Sequence, residues 1–276
     1  MKTKLLTLIL AATLPAVAAT DVFARSSVGG DFNSSVSMGV VMQKMVGIGH
    51  SHKVKLSSVS RSRVGGDVNA TTRVGALMQS SIGIGNKNHA RLSSVDRSRV
   101  GGDVTVYSKV KALMQSNVGI ANTNLAAIST IKGSRVGGDV VSYTTLGNVS
   151  QSNVGIANKN TLNAGSVVSS RVGGDFKNYT RVSSILQSNT GIANTNTANI
   201  GSVSGSRIGG DVRTSNRVGS LLQSNTGIGN TNVASIGSVV NSRVGGDVSM
   251  NTRVGSVQQS NTGIANHNNA SLGSVD

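Results

Sequence analysis

One step of 36 residues governs this chain. Gly-Gly-Asp returns with its aspartate at 31, 67, 103, 139, 175, 211 and 247 without a single insertion, and a glutamine keeps the same step from Gln43 to Gln259. Seven copies therefore fill the sequence from about Ser26 to Asp276, each a variation on Ser134-Arg135-Val136-Gly137-Gly138-Asp139-Val140 and Ser152-Asn153-Val154-Gly155-Ile156-Ala157-Asn158-Lys159-Asn160. A period this short and regular implies a solenoid or stacked β array, in which a copy touches only its neighbours, and excludes a globular enzyme with one unique core.

The two phrases also resemble each other. Ser98-Arg99-Val100-Gly101 and Ser116-Asn117-Val118-Gly119 lie 18 residues apart, so each 36-residue repeat reads as two 18-residue halves. Alternation of period two marks strands. From Arg207 to Ile236 the even positions carry Ile208, Val212, Val218, Leu222, Ile228, Asn230 and Asn232, and the odd ones Arg207, Asp211, Arg213, Arg217 and Gln223. Val, Thr, Ser, Asn and Gly disfavour helix. The phase changes after the small pairs at 93–94, 201–202 and 237–238, where a turn returns the strand to the same interior. The expected fold is all-β, a β-solenoid or stacked cross-β array of strand-turn-strand units.

Charge favours an 18-residue layer over a 36-residue one. Stacking successive halves sets Asp139 beside Ala121 or Ala157 and Arg135 beside Asn117 or Asn153, so like charges stand about 9.6 Å apart instead of about 4.8 Å. Fourteen such layers would extend about 65 to 70 Å.

Residues 1–24 read as a signal peptide and short leader, and 25–276 as the repeat domain. Lys2 and Lys4 precede an apolar run from Leu5 to Leu10, and Ala16-Val17-Ala18 or Val22-Phe23-Ala24 offers small residues for cleavage. Such a segment directs export and is too short to span a membrane stably. The chain has 26 Lys and Arg against 10 acids; without Lys2 and Lys4 the balance is 24 against 10, or +14. That excess suits nucleic acid, anionic polysaccharide or lipid head groups. With no cysteine and 2% aromatics, stability must come from backbone pairing and small aliphatic ladders.

Two sets of residues are candidates for structural roles. Asn86, Asn88, Asn122, Asn124, Asn158, Asn160, Asn194, Asn196, Asn230, Asn232, Asn266 and Asn268 form a recurring Asn-x-Asn, joined by Gln79, Gln115, Gln151, Gln187, Gln223 and Gln259. Amides stacked along a sheet satisfy each other, so these residues can form interior ladders. The second set is the turn phrase: Gly65, Gly66 and Asp67; Gly101, Gly102 and Asp103; Gly137, Gly138 and Asp139; Gly173, Gly174 and Asp175; Gly209, Gly210 and Asp211; Gly245, Gly246 and Asp247. A turn with Gly at positive φ, followed by an Asp pairing with a nearby Arg, accounts for it. Met78 and Met114 stand where other copies have Leu186 and Leu222, as core filler.

The segment Asn117-Val118-Gly119-Ile120-Ala121-Asn122-Thr123-Asn124-Leu125-Ala126, with its counterpart from Asn189 to Ala198, resembles the Gln-x-Gly-x-x-Asn-x-Ala heart of curli repeats, and the longer copies are similar to Fap-type fibre subunits. Asn replaces the first Gln, an extra residue pair precedes the Ala, and the Arg-Val-Gly-Gly-Asp phrase has no counterpart in curli. The resemblance implies a secreted subunit that polymerises into biofilm fibres through a nucleator and an outer-membrane pore. The other expectation is a monomeric basic solenoid binding an anionic polysaccharide or surface, with extracellular DNA a further partner and ice binding a remoter variant. Differentiated caps would mark the monomer, and the last copy runs to Asp276 without one.

Other motifs carry little. Gly-Gly-Asp-Phe at 29–32 and 173–176 matches a nucleotide-cyclase signature, but five copies read Gly-Gly-Asp-Val. Calcium-binding Gly-rich repeats need a nine-residue period and more acid. The first copy has His50-x-His52 where the others have Asn-x-Asn, with Lys53 and Lys55 beside it. Two histidines without a third ligand suit a modified end layer better than a metal site, and their protonation near pH 6 would weaken end-to-end joining. No unique nucleophile, base and orienter occur together, and no catalytic role, cofactor or metal is expected.

Overall fold

The computed structural model describes residues 6–7 and 27–275; the cleavage-site residues of the leader lie outside them. Every regular element among the described residues is a β-strand. One turn of the chain, taken from the middle, comprises Arg135–Val136, Val140–Ile156, Lys159–Ala164 and Val167–Val168. Each strand pairs in parallel with its copy 36 residues before and after, so Gln115 stands over Gln151 and Asn124 over Asn160. The result is a β-solenoid of about seven rungs, roughly 30 Å along the stack.

Four parallel sheets run its length. The long sheet holds seven 17-residue strands, Phe32–Ile48 to Val248–Ile264, and Leu6–Thr7 lies beside Ser34–Ser35 at its edge. A return sheet contains the seven six-residue strands from Ser51–Leu56 to His267–Leu272. Two narrow corner sheets close the cross-section, one built on Arg135–Val136 and its copies, the other on Val167–Val168 and its copies.

The layer is thus 36 residues deep, not 18. The two halves do different jobs: Val100 is buried at a corner, whereas Val118, its counterpart 18 residues on, is 41% exposed. In-register like charges are tolerated because each turn carboxylate from Asp31 to Asp211 is occupied by the backbone N–H of the next rung's aspartate. The amide of Asp139 donates to Oδ1 of Asp103 at 2.8 Å, and that of Asp175 to Asp139 at 2.8 Å. The corner arginines stand in water, where screening weakens their repulsion.

A bulge in the long strand reverses its faces. Lys111 and Gly147 are skipped in the pairing between Val104–Ile120 and Val140–Ile156. Before the skip Val104, Val106, Ser108 and Val110 point inward; after it Leu113, Gln115 and Asn117 do. An extra residue in a ladder exchanges inside for outside. Leu222 and Ile228 therefore face outward and Gln223 inward, against the simple even-odd reading. Met114 and Leu186 are 48% and 39% exposed and Met78 and Leu222 are only partly buried, so none of the four is core filler.

Two apolar columns remain inside. In the first, Leu146 packs with Val149, Leu162 and Ala164 between the long and return sheets. In the second, Val136, Val140 and Val167 pack at the corners. Each fully buried aliphatic side chain contributes about 1.5–3 kcal/mol, so no rung needs an aromatic centre. Between the columns lies a polar seam: Ser93 Oγ donates to Thr72 Oγ1 and Ser129 Oγ to Ser108 Oγ, both at 2.7 Å. Later rungs exchange this serine for Gly165, Gly201 or Gly237, and Asn178 and Asn216 fill the space, with Asn178 Nδ2 donating to Asn216 Oδ1 at 3.0 Å.

Candidate functional site

The amides sit at the end of the cross-section where the long strand turns into the return strand. A column of glutamines runs through all seven rungs: Gln79 Nε2 donates to Gln43 Oε1 at 2.7 Å, Gln151 to Gln115 at 2.7 Å, and Gln259 to Gln223 at 2.7 Å. The Asn88 column runs the other way. Asn88 Nδ2 donates to Asn124 Oδ1 at 3.0 Å, Asn160 to Asn196 at 3.1 Å, and Asn232 to Asn268 at 3.0 Å. The two sets of amide dipoles thus oppose each other.

The Asn86 column caps the turn instead of forming amide pairs. Asn122 Oδ1 accepts the backbone N–H of Asn86, while its Nδ2 donates to the carbonyls of Gly83 and Val118. Asn158, Asn194 and Asn230 repeat the arrangement. A further column, Asn117, Asn153, Asn189, Asn225 and Asn261, was not among the ladder candidates although its 36-residue recurrence is plain; Asn153 Nδ2 donates to Asn189 Oδ1 at 3.0 Å. Both amide columns end near the first rungs. Asn88 Oδ1 and Asn117 Oδ1 are buried without a partner, below His52 and Ser81 respectively.

Asn160 joins two columns. Its Oδ1 accepts from Asn117 at 2.9 Å and Asn124 at 3.1 Å, and its Nδ2 donates to the Ser152 carbonyl at 2.9 Å. Asn160→Leu should lower stability by about 2–4 kcal/mol, because buried donors on both neighbours lose an acceptor. Denaturant unfolding followed by circular dichroism checks this.

The turn phrase works by close approach. None of its glycines has positive φ; a Cβ on Gly138 would collide with the carboxylate of Asp103, and one on Gly137 with the carbonyl of Gly101. The Asp–Arg pairing expected there is mostly missing. Among the described residues the turn aspartates form ion pairs at Asp175, with Lys177 at 3.3 Å, and at Asp211, with Arg213 at 3.1 Å. The Asp211 N–H holds the Asp175 carboxyl below its usual pKa, and Lys177 adds to this.

Two outer surfaces stand out. Beyond the bulge, the long sheet presents an isoleucine in every rung, from Ile48 to Ile264, each between 44% and 73% exposed. Val118, Val154 and Met114 widen this apolar band. On the opposite edge a groove of about 1110 Å³ follows the stack between the corner sheets. Its rim is the row Arg63, Arg99, Arg135, Arg171, Arg207 and Arg243, and serines form its floor.

Near the first rungs a smaller cavity of about 290 Å³ is lined by Lys53, Lys55, Arg61, His89, Arg91 and Arg97. Arg91 is paired with the buried Asp96 at 3.1 Å. Burial, followed by the charges of Arg91, Lys53, Lys87 and Lys132, lowers the His89 pKa below 6.5. The folded state therefore binds fewer protons here than the unfolded one, and stability falls as pH drops from about 6.5 through the folded pKa. The melting temperature should decrease between pH 7.5 and 5.5, and less so in His89→Leu; Leu125 already occupies that column one rung on. His50 and His52 belong to the first rung, where the His50 amide donates to Asn86 Oδ1 at 3.0 Å. Among the described residues no three His, Asp or Glu side chains gather as metal ligands.

Comparison with family models, with known proteins and with solved structures gives no match.

Proposed function

We propose that the protein is a secreted structural subunit that polymerises into extracellular cross-β fibres of a biofilm matrix, and that its principal partner is another copy of itself. The observation that carries this reading is the in-register identity of the rungs. Val41, Gln43 and Ile48 of the first rung occupy the same columns as Val257, Gln259 and Ile264 of the last. A second copy set on the stack continues the aliphatic and glutamine ladders with the same spacing. Among the described residues, Val248–Ile264 pairs on one side only, so its outward backbone groups are ready acceptors and donors for that copy.

The exposed isoleucine row supports lateral packing of such stacks. A contiguous apolar face on a sheet favours association, and small residues such as Gly155 and Ala157 flank the isoleucines. A nucleating subunit and an export pore are the partners that the curli resemblance adds.

The test is time-resolved thioflavin fluorescence and turbidity of residues 25–276, diluted from denaturant at neutral pH, with fibre diffraction on the product. Seedable growth with reflections near about 4.8 and 10 Å is the expected result. A chain that remains monomeric and β-rich for days overturns the reading.

A further inference from the structure

We propose that the arginine-rimmed groove binds a linear acidic polysaccharide bearing one carboxylate or sulfate per sugar. Arg99 stands in register with Arg63 and Arg135, and Arg171 with Arg135 and Arg207, so the guanidinium groups repeat at about the strand spacing of 4.8 Å. All six are exposed, and none forms an ion pair among the described residues. Like charges directly opposite across a sheet are unfavourable, yet no acid lines the groove. An anion laid along the row removes that repulsion and accepts paired N–H donors from each guanidinium.

The floor is preorganised. Ser134 Oγ donates to the Lys132 carbonyl at 2.9 Å and accepts the Ser98 amide at 3.1 Å, and Ser170 Oγ repeats this with Val168 at 2.8 Å and Ser134 at 3.2 Å. The serines are thus held in the wall and leave recognition to the arginines. Opposite the row, Gly133, Ser169 and Gly205 keep the middle of the groove wide, whereas Arg61 and Arg97 add charge toward its first rungs.

The shape selects the polymer. A pyranose chain advances by close to one strand spacing per sugar. In an extended two-fold chain alternate acidic groups face the same side, so each one turned to the row serves two neighbouring arginines along a straight line. Duplex DNA curves away from a straight row, and single-stranded nucleic acid needs aromatic platforms for its bases. The groove has no aromatic lining. The tyrosines Tyr107, Tyr143 and Tyr179 lie in one column of the long sheet, with Tyr143 and Tyr179 stacked at 5.1 Å.

Fluorescein-labelled oligogalacturonate is titrated into residues 25–276 by anisotropy, at a protein concentration below that for assembly. The triple variant Arg135→Ser, Arg171→Ser, Arg207→Ser keeps a residue the fold already carries in this column, Ser27. It should bind roughly tenfold more weakly or worse, with an unchanged β spectrum. The charge-matched triple Arg73→Ser, Arg181→Ser, Arg217→Ser, on the outer face of the long sheet, should lose less than about threefold. Equal losses in both triples, no binding by the parent chain, or tighter binding of a charge-matched DNA oligonucleotide each overturn the proposal. Because binding is read on the unassembled chain, failure to form fibres does not affect its outcome.

Discussion

Gly119→Val lowers the stability of the chain by about 3 kcal/mol or more, the largest loss expected from any single substitution at the turn into the return strand. Gly119 has φ of +117°, and a Cβ there would collide with the carbonyl oxygen of Gly83 in the rung before. That oxygen also accepts from Asn122 Nδ2 at 2.8 Å, so moving it disturbs the turn cap as well. The same glycine stands at 47, 83, 155, 191, 227 and 263, each with φ between +112° and +125°. Gly85→Ala is the contrast. Its φ is +68° with open space around it, and Ala121, Ala157, Ala193 and Ala265 already hold that column. It should change stability by no more than about 1 kcal/mol. Equilibrium unfolding of the two variants, with amide exchange at the second and third rungs, separates close approach from mere positive φ.

The second large effect concerns joining. Val257→Asp should slow seeded elongation at neutral pH by at least about tenfold while leaving the free subunit folded. Val257 occupies the interior column of Val149, Ile185 and Leu221, but is 44% exposed because it lies in the last rung. An aspartate there remains hydrated in the free chain. Once another copy covers it, the carboxylate is buried against aliphatic side chains without a partner. Ser256→Asp places the same charge on the opposite face of the same strand. Elongation within about twofold of the parent in that control, measured by thioflavin kinetics on preformed seeds, assigns the effect to the stacked end and not to net charge. Equal elongation by all three chains would remove end-to-end stacking as the mode of growth.

Much of the fold was legible because a repeat without insertions leaves little freedom. The step from Asp103 to Asp139 gave the solenoid, and the small residues at 93–94 and 201–202 marked real corners, with Ser93 and Gly201 at φ of +45° and +59°. The layer depth was not legible from charge. Stacked aspartates repel only as isolated ions, whereas here the Asp139 amide hydrogen-bonds to the Asp103 carboxylate. The faces of Met114 and Gln115 were hidden by the bulge at Lys111, because periodicity has no signal for a single residue that drops out of the ladder. The asparagine columns were visible as a pattern, but their opposed directions depend on which neighbouring carbonyls the turn leaves within reach.

The likeness of the rungs also bears on how the chain reaches one structure. A strand that docks one rung too early or too late still meets leucine with valine, glutamine with glutamine and isoleucine with isoleucine, so many registers are nearly degenerate. The polar seam supplies addresses. A serine in place of Gly201 would place its Cβ against Asn216 Oδ1, and one in place of Gly165 would meet Asn178. Ser129, by contrast, donates to the hydroxyl of Ser108, a column that becomes Asn216 in the rung that meets Gly237. The stacked pair Tyr143 and Tyr179 and the ion pair of Arg91 with the buried Asp96 mark further rungs as unique. These few differences let a chain of near-identical coils count its own turns as it folds.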